Sequence, residues 1–343
     1  MSKNRKYNAV IIGCGNIGAL LEADPLRPKP TTYAGAFLMH PDIQLAGLAD
    51  CSVSALRQAH SLFPSAAVYD NAEKCLKQER PDIVAIATPP ATHYRYLKMC
   101  QKYNVDAVIC EKPVSDSLAE AIKMTRLEAD KKMTILVNYQ RRFFESFKRA
   151  RQKIQLGKLG NIRQITAYYS NGIHNNGSHV IDTLRFLLQD KIVAVTGAIN
   201  SNNSTHPKGD DNVDGMLFFR RGAVATIQSF DQNIYGIHEI RLLGDKGALF
   251  INHYGFDFHW IPVRASHFFT GIRELDYSAQ DNELKKIGMV KGVVDHLVAC
   301  LNGIEKPLCT IRDAAKNLAV LSALVDSAKR GGRRIVLKHS KYY

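Results

Sequence analysis

The chain has 343 residues, of which 45% are hydrophobic and 23% are charged, the composition of a globular protein with two domains. No apolar run is long enough to cross a bilayer, and the charged residues of Met1–Tyr7 lack the apolar segment of a signal peptide. The net charge of +14 is dispersed, apart from the cluster Lys329–Arg334. We therefore expect a cytoplasmic protein with a solvated basic surface rather than a nucleic-acid or membrane partner; attraction of a phosphorylated substrate stays open.

The cysteines are seven in number, scattered, and nowhere arranged as C-x-x-C. An odd, unpaired set without a signal peptide predicts reduced thiols and no structural metal site.

The first predicted element is a strand over 7–12, followed by Gly13, Gly15 and Gly18 as a G-x-G-x-x-G. This pattern is typical of a strand that turns into a helix, predicted here over 16–22, with a dinucleotide pyrophosphate at the helix N-terminus. The three glycines allow the tight turn, the approach of the phosphates and the packing of helix on strand, in that order.

The rest of the first half alternates strands and helices. The strands are short and apolar on both faces, which favours a doubly wound parallel sheet. Further strands are predicted over 43–49, 66–69, 82–87, 105–110 and 133–137. Helices are predicted over 52–62, 71–78, 91–103 and 115–131.

A proline-rich loop, 23–32, separates the glycine motif from the second strand. Arg27 and Lys29 on this loop are candidates for a substrate phosphate, and a plain surface loop is an equal alternative. Asp50 ends the second strand, where a carboxylate binds the ribose hydroxyls and repels a 2′-phosphate. We therefore expect NAD rather than NADP; a helix N-cap role for Asp50 is compatible with this.

Two loops follow later strands at their carboxyl ends, where ligands bind in open α/β sheets. Thr88–His93 is placed to contact the cofactor, although Thr88 or Thr92 would also serve as a helix N-cap. In Glu111-Lys112-Pro113, the lysine is a candidate to polarise a substrate hydroxyl or take its proton. A positively charged nicotinamide nearby would lower the pKa of the lysine and so favour this role.

The pattern changes after about residue 142. A helix over 143–156 precedes alternating strands, with hairpin signals at Arg221-Gly222 and Asp245–Gly247. The strands are predicted over 161–170, 192–200, 213–219, 223–230, 237–243 and 247–251, and helices over 282–302 and 312–330. This predicts a Rossmann domain over 1–142 and an α+β domain with an open, mostly antiparallel sheet over 143–343, whose last helix packs back on the first domain.

Four segments, taken together and in order, resemble the glucose–fructose oxidoreductase / inositol dehydrogenase / rhizopine catabolism family. They are Gly13–Gly18, the Thr-Pro-Pro-x-Thr-His loop, Glu-Lys-Pro-Val-Ser and Gly-Ser-His-Val-Ile-Asp, and their order and spacing match over about 1–335. The resemblance implies an NAD(P)-dependent oxidoreductase of sugars, cyclitols or sugar nucleotides.

The family's catalytic lysine falls on Lys112 and its histidine on His179. Many members have an aspartate four positions before the histidine, where this chain has Asn175. Asparagine cannot take a proton, so Asn175 is expected to orient a hydroxyl while Lys112 or His179 acts as the base. Helical spacing would place Asn175 and His179 on one face.

The remaining site residues follow from the motifs and the resemblance. Ser178 and Asp182 are expected at the substrate, with Asp182 alternatively positioning its helix. Asn138 and Arg142 are expected at nicotinamide or substrate, with inter-domain ion pairs as the alternative for the arginine. The expected cofactor-binding set is Gly13, Gly15, Asn16, Ile17, Gly18, Asp50, Thr88, Pro89, Thr92, His93, Glu111, Lys112 and Asn138; the expected substrate-binding set is Arg27, Lys112, Arg142, Asn175, Ser178, His179 and Asp182.

The segments Asn171–His179 and Thr32–Ala36 look more like members acting on amino sugars or nucleotide-activated sugars. The sharpest expectation is a UDP-N-acetylglucosamine 3-dehydrogenase-like enzyme that makes a 3-keto sugar. A dehydrogenase of a free sugar, sugar phosphate or inositol, an NAD-dependent redox glycosidase, and a non-catalytic NAD-sensing protein remain as alternatives. A homodimer or homotetramer is expected, because the open sheet face would otherwise expose apolar surface.

Overall fold

The computed structural model describes residues 6–129, 133–202, 206–284, 288 and 290–337. The chain forms two compact units, Met1–Phe143 with Ile287–Ala315 and Phe144–Lys286 with Lys316–Tyr343. This division differs from the predicted domains in two respects, the first being that Phe143, predicted in the second domain, falls in the first unit. The segment Ile287–Ala315, predicted in the second domain, falls in the first unit.

The first unit is built on six strands in one sheet, ordered β3-β2-β1-β4-β5-β6 and all parallel. Its strands are β1 (Tyr7–Ile12), β2 (Ile43–Ala49), β3 (Ala67–Tyr69), β4 (Ile83–Ile86), β5 (Ala107–Cys110) and β6 (Thr134–Val137). Its first helices are α1 (Tyr33–Met39), α2 (Val53–Leu62), α3 (Ala72–Glu79), α4 (His93–Lys102) and α5 (Leu118–Ala129). Every residue of β4 and β5 is buried, as expected of central parallel strands. The predicted doubly wound sheet is confirmed.

The helix predicted over 16–22 is wrong. The chain makes one irregular turn, in which the Gly15 carbonyl accepts from the N–H groups of Ala19 (2.9 Å) and Leu20 (3.1 Å), and a 3₁₀ segment, Leu20–Ala23, follows. A loop with three prolines comes next, and proline has no N–H to continue a helix. The first α-helix therefore begins only at Tyr33, where the Ile17 carbonyl accepts its N–H at 3.1 Å.

The second unit contains a mixed sheet that is mostly antiparallel, ordered β14-β13-β12-β11-β7-β10-β9-β8-β16, with β15 paired to β13. Only the β7–β10 pair among these described strands is parallel. The elements are α6 (Glu145–Gln155), β7 (Ile162–Ser170), α7 (Ser178–Leu188), β8 (Ile192–Ile199), β9 (Val213–Phe219), β10 (Val224–Phe230), β11 (Glu239–Gly244), β12 (Gly247–Asn252), β13 (Asp257–Ala265), β14 (Arg273–Leu275) and β15 (Asp281–Leu284). Both predicted hairpins are present, as β9–β10 and β11–β12.

The last elements are α8 (Lys291–Leu301), α9 (Ile311–Lys329) and β16 (Ile335–Val336). The helix predicted over 282–302 thus begins later, because Asp281–Leu284 pairs with β13 instead. Helix α8 packs on β5 and β6, which explains its place in the first unit. No helix in the described part of the chain combines the length and hydropathy needed to cross a membrane, and no described cluster of three or more His, Cys, Asp or Glu side chains is arranged to hold a metal.

Glu128 of α5 lies at the start of α9, where its carboxyl group accepts the N–H groups of Ile311 and Arg312 (3.3 Å). Burial, and to a smaller extent nearby Asp313, raises the pKa of Glu128 to about 7 from an ordinary 4.5. The folded protein therefore binds this proton more tightly than the unfolded chain. The stabilisation is complete below pH 4.5 and is lost as the pH rises to about 7.

We predict that Glu128→Gln flattens the decline of melting temperature between pH 5 and pH 8. Over this range the melting temperature of the unmodified protein should fall by roughly 2 °C or more beyond that of the variant, since each kcal/mol shifts the midpoint of a domain of 150–250 residues by about 2–4 °C. The pH dependence is the readout, because the glutamine NH₂ group confronts one of the two N–H groups at every pH. The control is Glu145→Gln, whose side chain is 62% exposed. Parallel pH profiles for Glu128→Gln and the unmodified protein would contradict the prediction.

Candidate functional site

Of the three glycines after β1, only Gly15 leaves space in which a ligand can approach the main chain. Gly13 has φ +98°, and a Cβ on it would lie 2.6 Å from the Ala87 carbonyl oxygen. A Cβ on Gly18 would overlap the Gly13 carbonyl, whereas around Gly15 no atom lies within 4 Å of the Cβ position. Gly13 and Gly18 are thus required by the fold. Gly15 instead opens a cradle, and this fits an anion such as a pyrophosphate.

A cavity of about 470 Å³ in the first unit lies beside this cradle. It brings together six of the predicted cofactor residues, at the carboxyl ends of β1, β2 and β4. These are Gly13, Gly15, Asp50, Thr88, Pro89 and Thr92. Asn16, Ile17 and Gly18 do not line it; their main-chain carbonyls accept the N–H groups of Leu21, Tyr33 and Ala34. Those three residues shape the turn and join it to α1.

Asp50 is fixed at the edge of the cavity by main-chain bonds. Its Oδ2 accepts the Cys14 N–H at 2.7 Å, and its Oδ1 accepts the Ser52 N–H at 2.8 Å. Ser52, not Asp50, caps α2, since its Oγ accepts the Ala55 N–H at 3.2 Å. A carboxylate has lone pairs left for two ribose hydroxyls after accepting two N–H bonds. Burial, and to a smaller extent the negative charge of Asp50, raises the pKa of the Cys14 thiol to about 12. No thiolate therefore forms beside the cradle at neutral pH.

The far wall of the cavity was missed by the sequence reasoning. It consists of the turn after β3 and one face of α4, with Asp70, Asn71, Glu73, Arg95, Tyr96 and Met99. Because β3 lies beside β2, its carboxyl end must lie beside Asp50. The strand order of a doubly wound sheet was the signal that could have identified this wall.

The Thr88–His93 loop is held by its own side chains. Thr92 Oγ1 lies 2.8 Å from Thr88 Oγ1 and donates to the Pro89 carbonyl at 2.7 Å. The His93 ring is fully buried, and its two nitrogens lie 2.8 Å and 3.2 Å from the carbonyls of Thr88 and Val114. Desolvation also lowers the pKa of His93. The expectation that His93 binds the cofactor is therefore corrected: it ties this loop to the chain after Pro113.

Glu111, at the end of β5, is the centre of a buried hydrogen-bond network. Its Oε1 accepts from Tyr33 Oη at 2.6 Å and from Asn138 Nδ2 at 2.8 Å, and its Oε2 accepts the main-chain N–H of Lys112 at 3.1 Å. Tyr33 is fully buried, and burial, with Glu111 beside it, raises its pKa well above the ordinary value. Lys112 is half-buried and precedes a cis peptide bond to Pro113. Its main chain is thereby held at the carboxyl edge of the sheet.

The two arginines predicted at the substrate have other partners. Arg142 is buried; its Nη1 donates to the Leu308 carbonyl at 3.0 Å and lies 3.5 Å from Asp313 Oδ2. Asp313 belongs to the predicted second domain, so the ion pair joins the two predicted domains, but the observed division places both partners in the first unit. Arg27 is exposed and donates to Asp24 Oδ2 at 3.0 Å within its own loop, which supports the surface-loop alternative.

In the second unit, Asn175 lies in a π-helical turn, Gly172–Gly177, that leads into α7. The Asp210 carboxylate accepts the main-chain N–H groups of His174 (2.7 Å) and Asn175 (2.8 Å). Asn212 Oδ1 accepts the Gly172 N–H at 2.9 Å. The α-helical spacing assumed for residues 175 and 179 is therefore replaced by a wider turn, a form common at functional sites. No sequence pattern indicated that Asp210 and Asn212 contact this turn, since they lie 35 to 40 positions after the residues they bond.

The four predicted substrate residues of this unit differ in burial. Asn175 and His179 are partly exposed, whereas Ser178 and Asp182 are buried. Ser178 Oγ donates to the Asn175 carbonyl at 2.8 Å, and Asp182 Oδ1 accepts from Asn317 Nδ2 at 2.6 Å. Ser178 thus braces the turn, which corrects its expected substrate contact. For Asp182 the geometry supports the alternative role of positioning α7.

We predict that Gly15→Ala removes dinucleotide binding without loss of stability. The methyl group enters open space in the fold but stands where the phosphates would approach, so the melting temperature should stay within about 2 °C while the Kd for NAD rises at least about tenfold. Gly18→Ala is the comparison, because its methyl group overlaps the Gly13 carbonyl and should lower the melting temperature as well as raise the Kd for NAD. Unchanged NAD affinity in a folded Gly15→Ala protein would contradict the assignment.

We predict that Asp210→Asn loosens the turn at Asn175. A neutral amide accepts one N–H and confronts the other with its own NH₂ group, so we expect about 1–3 kcal/mol of destabilisation, measured by denaturant unfolding. Asp211→Asn is the matched control, because Asp211 serves the turn through its main-chain carbonyl, bonded to the Ile173 N–H at 3.0 Å. Equal effects of the two changes would argue against a specific role for Asp210.

Comparison with known proteins places the chain in a family. Residues 7–139 match the model described as "Oxidoreductase family, NAD-binding Rossmann fold", and residues 170–250 match the "GFO/IDH/MocA C-terminal domain". Myo-inositol 2-dehydrogenase of Thermotoga maritima is 25% identical over 260 residues, which cover 70% of this chain and 73% of that protein.

Two solved structures share the fold. The WlbA dehydrogenase of Bordetella pertussis, in complex with NADH and UDP-GlcNAcA, has a TM-score of 0.75 at 20% identity and covers 98% of this chain and 100% of its own. Aldose-aldose oxidoreductase of Caulobacter crescentus, complexed with glycerol, has a TM-score of 0.75 at 18% identity and covers 97% of this chain and 100% of its own. The chain belongs to the Gfo/Idh/MocA family of oxidoreductases, and its first unit is an NAD-binding Rossmann domain.

Proposed function

We propose that this protein transfers hydride between NAD and a secondary hydroxyl of a sugar, oxidising C3 of a nucleotide-activated amino sugar to a 3-keto sugar. The observation that carries the proposal is the order of groups along the carboxyl edge of the first sheet. Asp50 follows β2, the open cradle at Gly15 follows β1, and the restrained Lys112 follows β5. Bound NAD would supply the hydride acceptor, and the protein would supply orientation and proton transfer.

Lys112 is proposed as the group that takes the hydroxyl proton, together with His179. Removing this proton as the hydride leaves avoids a cationic intermediate, which is the usual contribution of a general base. Glu111 restrains the main chain of Lys112 through its N–H, so the side chain starts from a fixed point. Asn175 is proposed to orient the hydroxyl, because its amide donates and accepts hydrogen bonds but does not titrate.

NAD is proposed over NADP because of Asp50. Its carboxylate lies at the cavity edge with both oxygens held by N–H groups, and a 2′-phosphate there would meet a fixed negative charge. Arg95 lines the same cavity on α4, so the two cofactors should be compared directly. Their Kd values, measured side by side, test this part of the proposal.

The nucleotide-sugar substrate is supported by the net charge of +14 and by the fold shared with a dehydrogenase solved with UDP-GlcNAcA. The myo-inositol 2-dehydrogenase relative supports a cyclitol as the second candidate. A homo-oligomer is also proposed, since the second unit exposes Phe268 (80%) and Phe269 (68%). Light scattering of the purified protein tests the oligomer.

The deciding experiment is absorbance at 340 nm with NAD and a panel of nucleotide sugars, free sugars, sugar phosphates and inositols. A rise with one nucleotide sugar supports the proposal, and a rise only with a free sugar or inositol replaces the substrate but keeps the chemistry. Sugar release without NADH would point to a redox glycosidase. Tight NAD binding without any turnover would point to a sensor.

We predict that Lys112→Ala lowers kcat by at least about 10²–10⁴, the usual contribution of a general base, with NAD affinity within about twofold. The control is Lys98→Ala, which removes an exposed lysine of α4. The two variants are compared by steady-state kinetics and by calorimetric titration with NAD. Wild-type turnover in Lys112→Ala would remove this lysine from the mechanism.

A further inference from the structure

Asn138 carries a buried acceptor that no described residue satisfies. The residue follows β6 and is only 3% exposed. Its Nδ2 donates to Glu111 Oε1 at 2.8 Å, while its Oδ1 is buried without a hydrogen-bond partner among the described residues. A buried carbonyl without a donor is unfavourable, so this oxygen marks a place where a ligand can supply one.

The orientation of the Asn138 amide is set by its neighbour. An ionised carboxylate only accepts, so Glu111 requires the NH₂ end of the amide to face it. A rotated amide would place Oδ1 against Oε1, which Tyr33 Oη already approaches to 2.6 Å. Glu111 and Tyr33 therefore hold Asn138 Oδ1 away from the carboxylate.

If NAD binds as proposed, the strand order brings this acceptor to the nicotinamide end of the dinucleotide. In the proposed arrangement, Asp50 receives the adenosine ribose after β2 and the Gly15 cradle receives the pyrophosphate after β1. The rest of the cofactor must then extend over β4 towards β5 and β6, two to three strand spacings of about 4.8 Å away. Asn138 lies there, with its N–H bonded to the Cys110 carbonyl at 2.9 Å.

We propose that Asn138 Oδ1 accepts a hydrogen bond from the carboxamide NH₂ of the bound nicotinamide, and that Glu111 and Tyr33 hold the amide in the orientation this requires. The inference rests on the proposed course of NAD along the sheet edge. In this arrangement Asn138 recognises the carboxamide by a hydrogen bond, and Tyr33 is a positioning residue. Neither role depends on the identity of the sugar.

The test compares the Kd of NAD with that of 3-acetylpyridine adenine dinucleotide, measured by calorimetry without sugar. In this analogue a methyl group replaces the carboxamide NH₂, so the adenosine half is identical and the donor is lost. We expect the unmodified protein to bind the analogue about tenfold more weakly. Asn138→Leu, which is close in size but has no acceptor, should bring the ratio of the two Kd values to about one.

Two further variants separate this role from a general loss of structure. Tyr33→Phe removes one of the three donors to Glu111, so the carboxylate is placed less firmly against the Asn138 amide. The ratio of the two Kd values should fall, and the melting temperature should fall with it. Asn71→Ser, at the adenine end of the cavity, keeps a cap for α3 and should change both Kd values by the same factor. A lower ratio in Tyr33→Phe, together with an unchanged ratio in Asn71→Ser, supports the assignment to Asn138.

Equal affinity of the unmodified protein for the two dinucleotides would overturn the inference, and so would a tenfold ratio that persists in folded Asn138→Leu. In both cases NAD binding itself, and oxidation of a sugar, would stand. Failure of the protein to bind NAD at all would instead refute the proposed function. If Asn138→Leu left the ratio of the two Kd values unchanged and only raised the KM for sugar, the Asn138 oxygen would instead be assigned to a substrate hydroxyl.

Discussion

The buried Glu111 carboxyl group is the interaction on which the first unit's site depends. It joins three chain segments that are far apart in sequence: α1 through Tyr33, the end of β6 through Asn138 and the following residue through the Lys112 N–H. The start of α1 is in turn bonded to the glycine turn, through the Ile17 and Gly18 carbonyls. The phosphate cradle and the lysine are therefore connected through one buried carboxyl group. An unpartnered carboxyl group there would carry a large desolvation cost, so all three donors are needed.

Sequence patterns predicted the structure correctly where residues within one short segment determine its conformation. The strands β4 and β5 are apolar throughout because both faces are covered, and the glycine motif identifies its turn without help from elsewhere. Sequence patterns failed where distant residues decide. The helix predicted over 16–22 is replaced by a turn, in which the Ile17 and Gly18 carbonyls accept N–H groups of α1 instead. Helix α8 packs with the first unit because of its contacts with β5 and β6, which no local pattern records.

The site residues follow the same rule. Asp50 and Lys112 are proposed from their positions at strand ends, which any parallel sheet brings to one edge. The role of His93 was misjudged because a motif position does not reveal that both ring nitrogens meet buried carbonyls. The α4 wall with Arg95 was missed because helix residues have no fixed place relative to a cavity until the strand order is known. Asp210 was missed because its partners lie more than thirty residues earlier.

The π-helical turn at Asn175 has a consequence for how this protein can diverge from its relatives. Asp210 and Asn212 hold the turn through main-chain N–H groups, which every residue except proline possesses. The backbone conformation at position 175 is thus independent of the side chain that stands there. Exchange of aspartate for asparagine at this position alters the chemistry offered to a ligand and leaves the scaffold intact. Gly172 has no such freedom, because a Cβ there would collide with the Asp210 carboxylate. Positions 172 and 210 should therefore evolve as a pair, while the turn places no such constraint on the side chain at position 175.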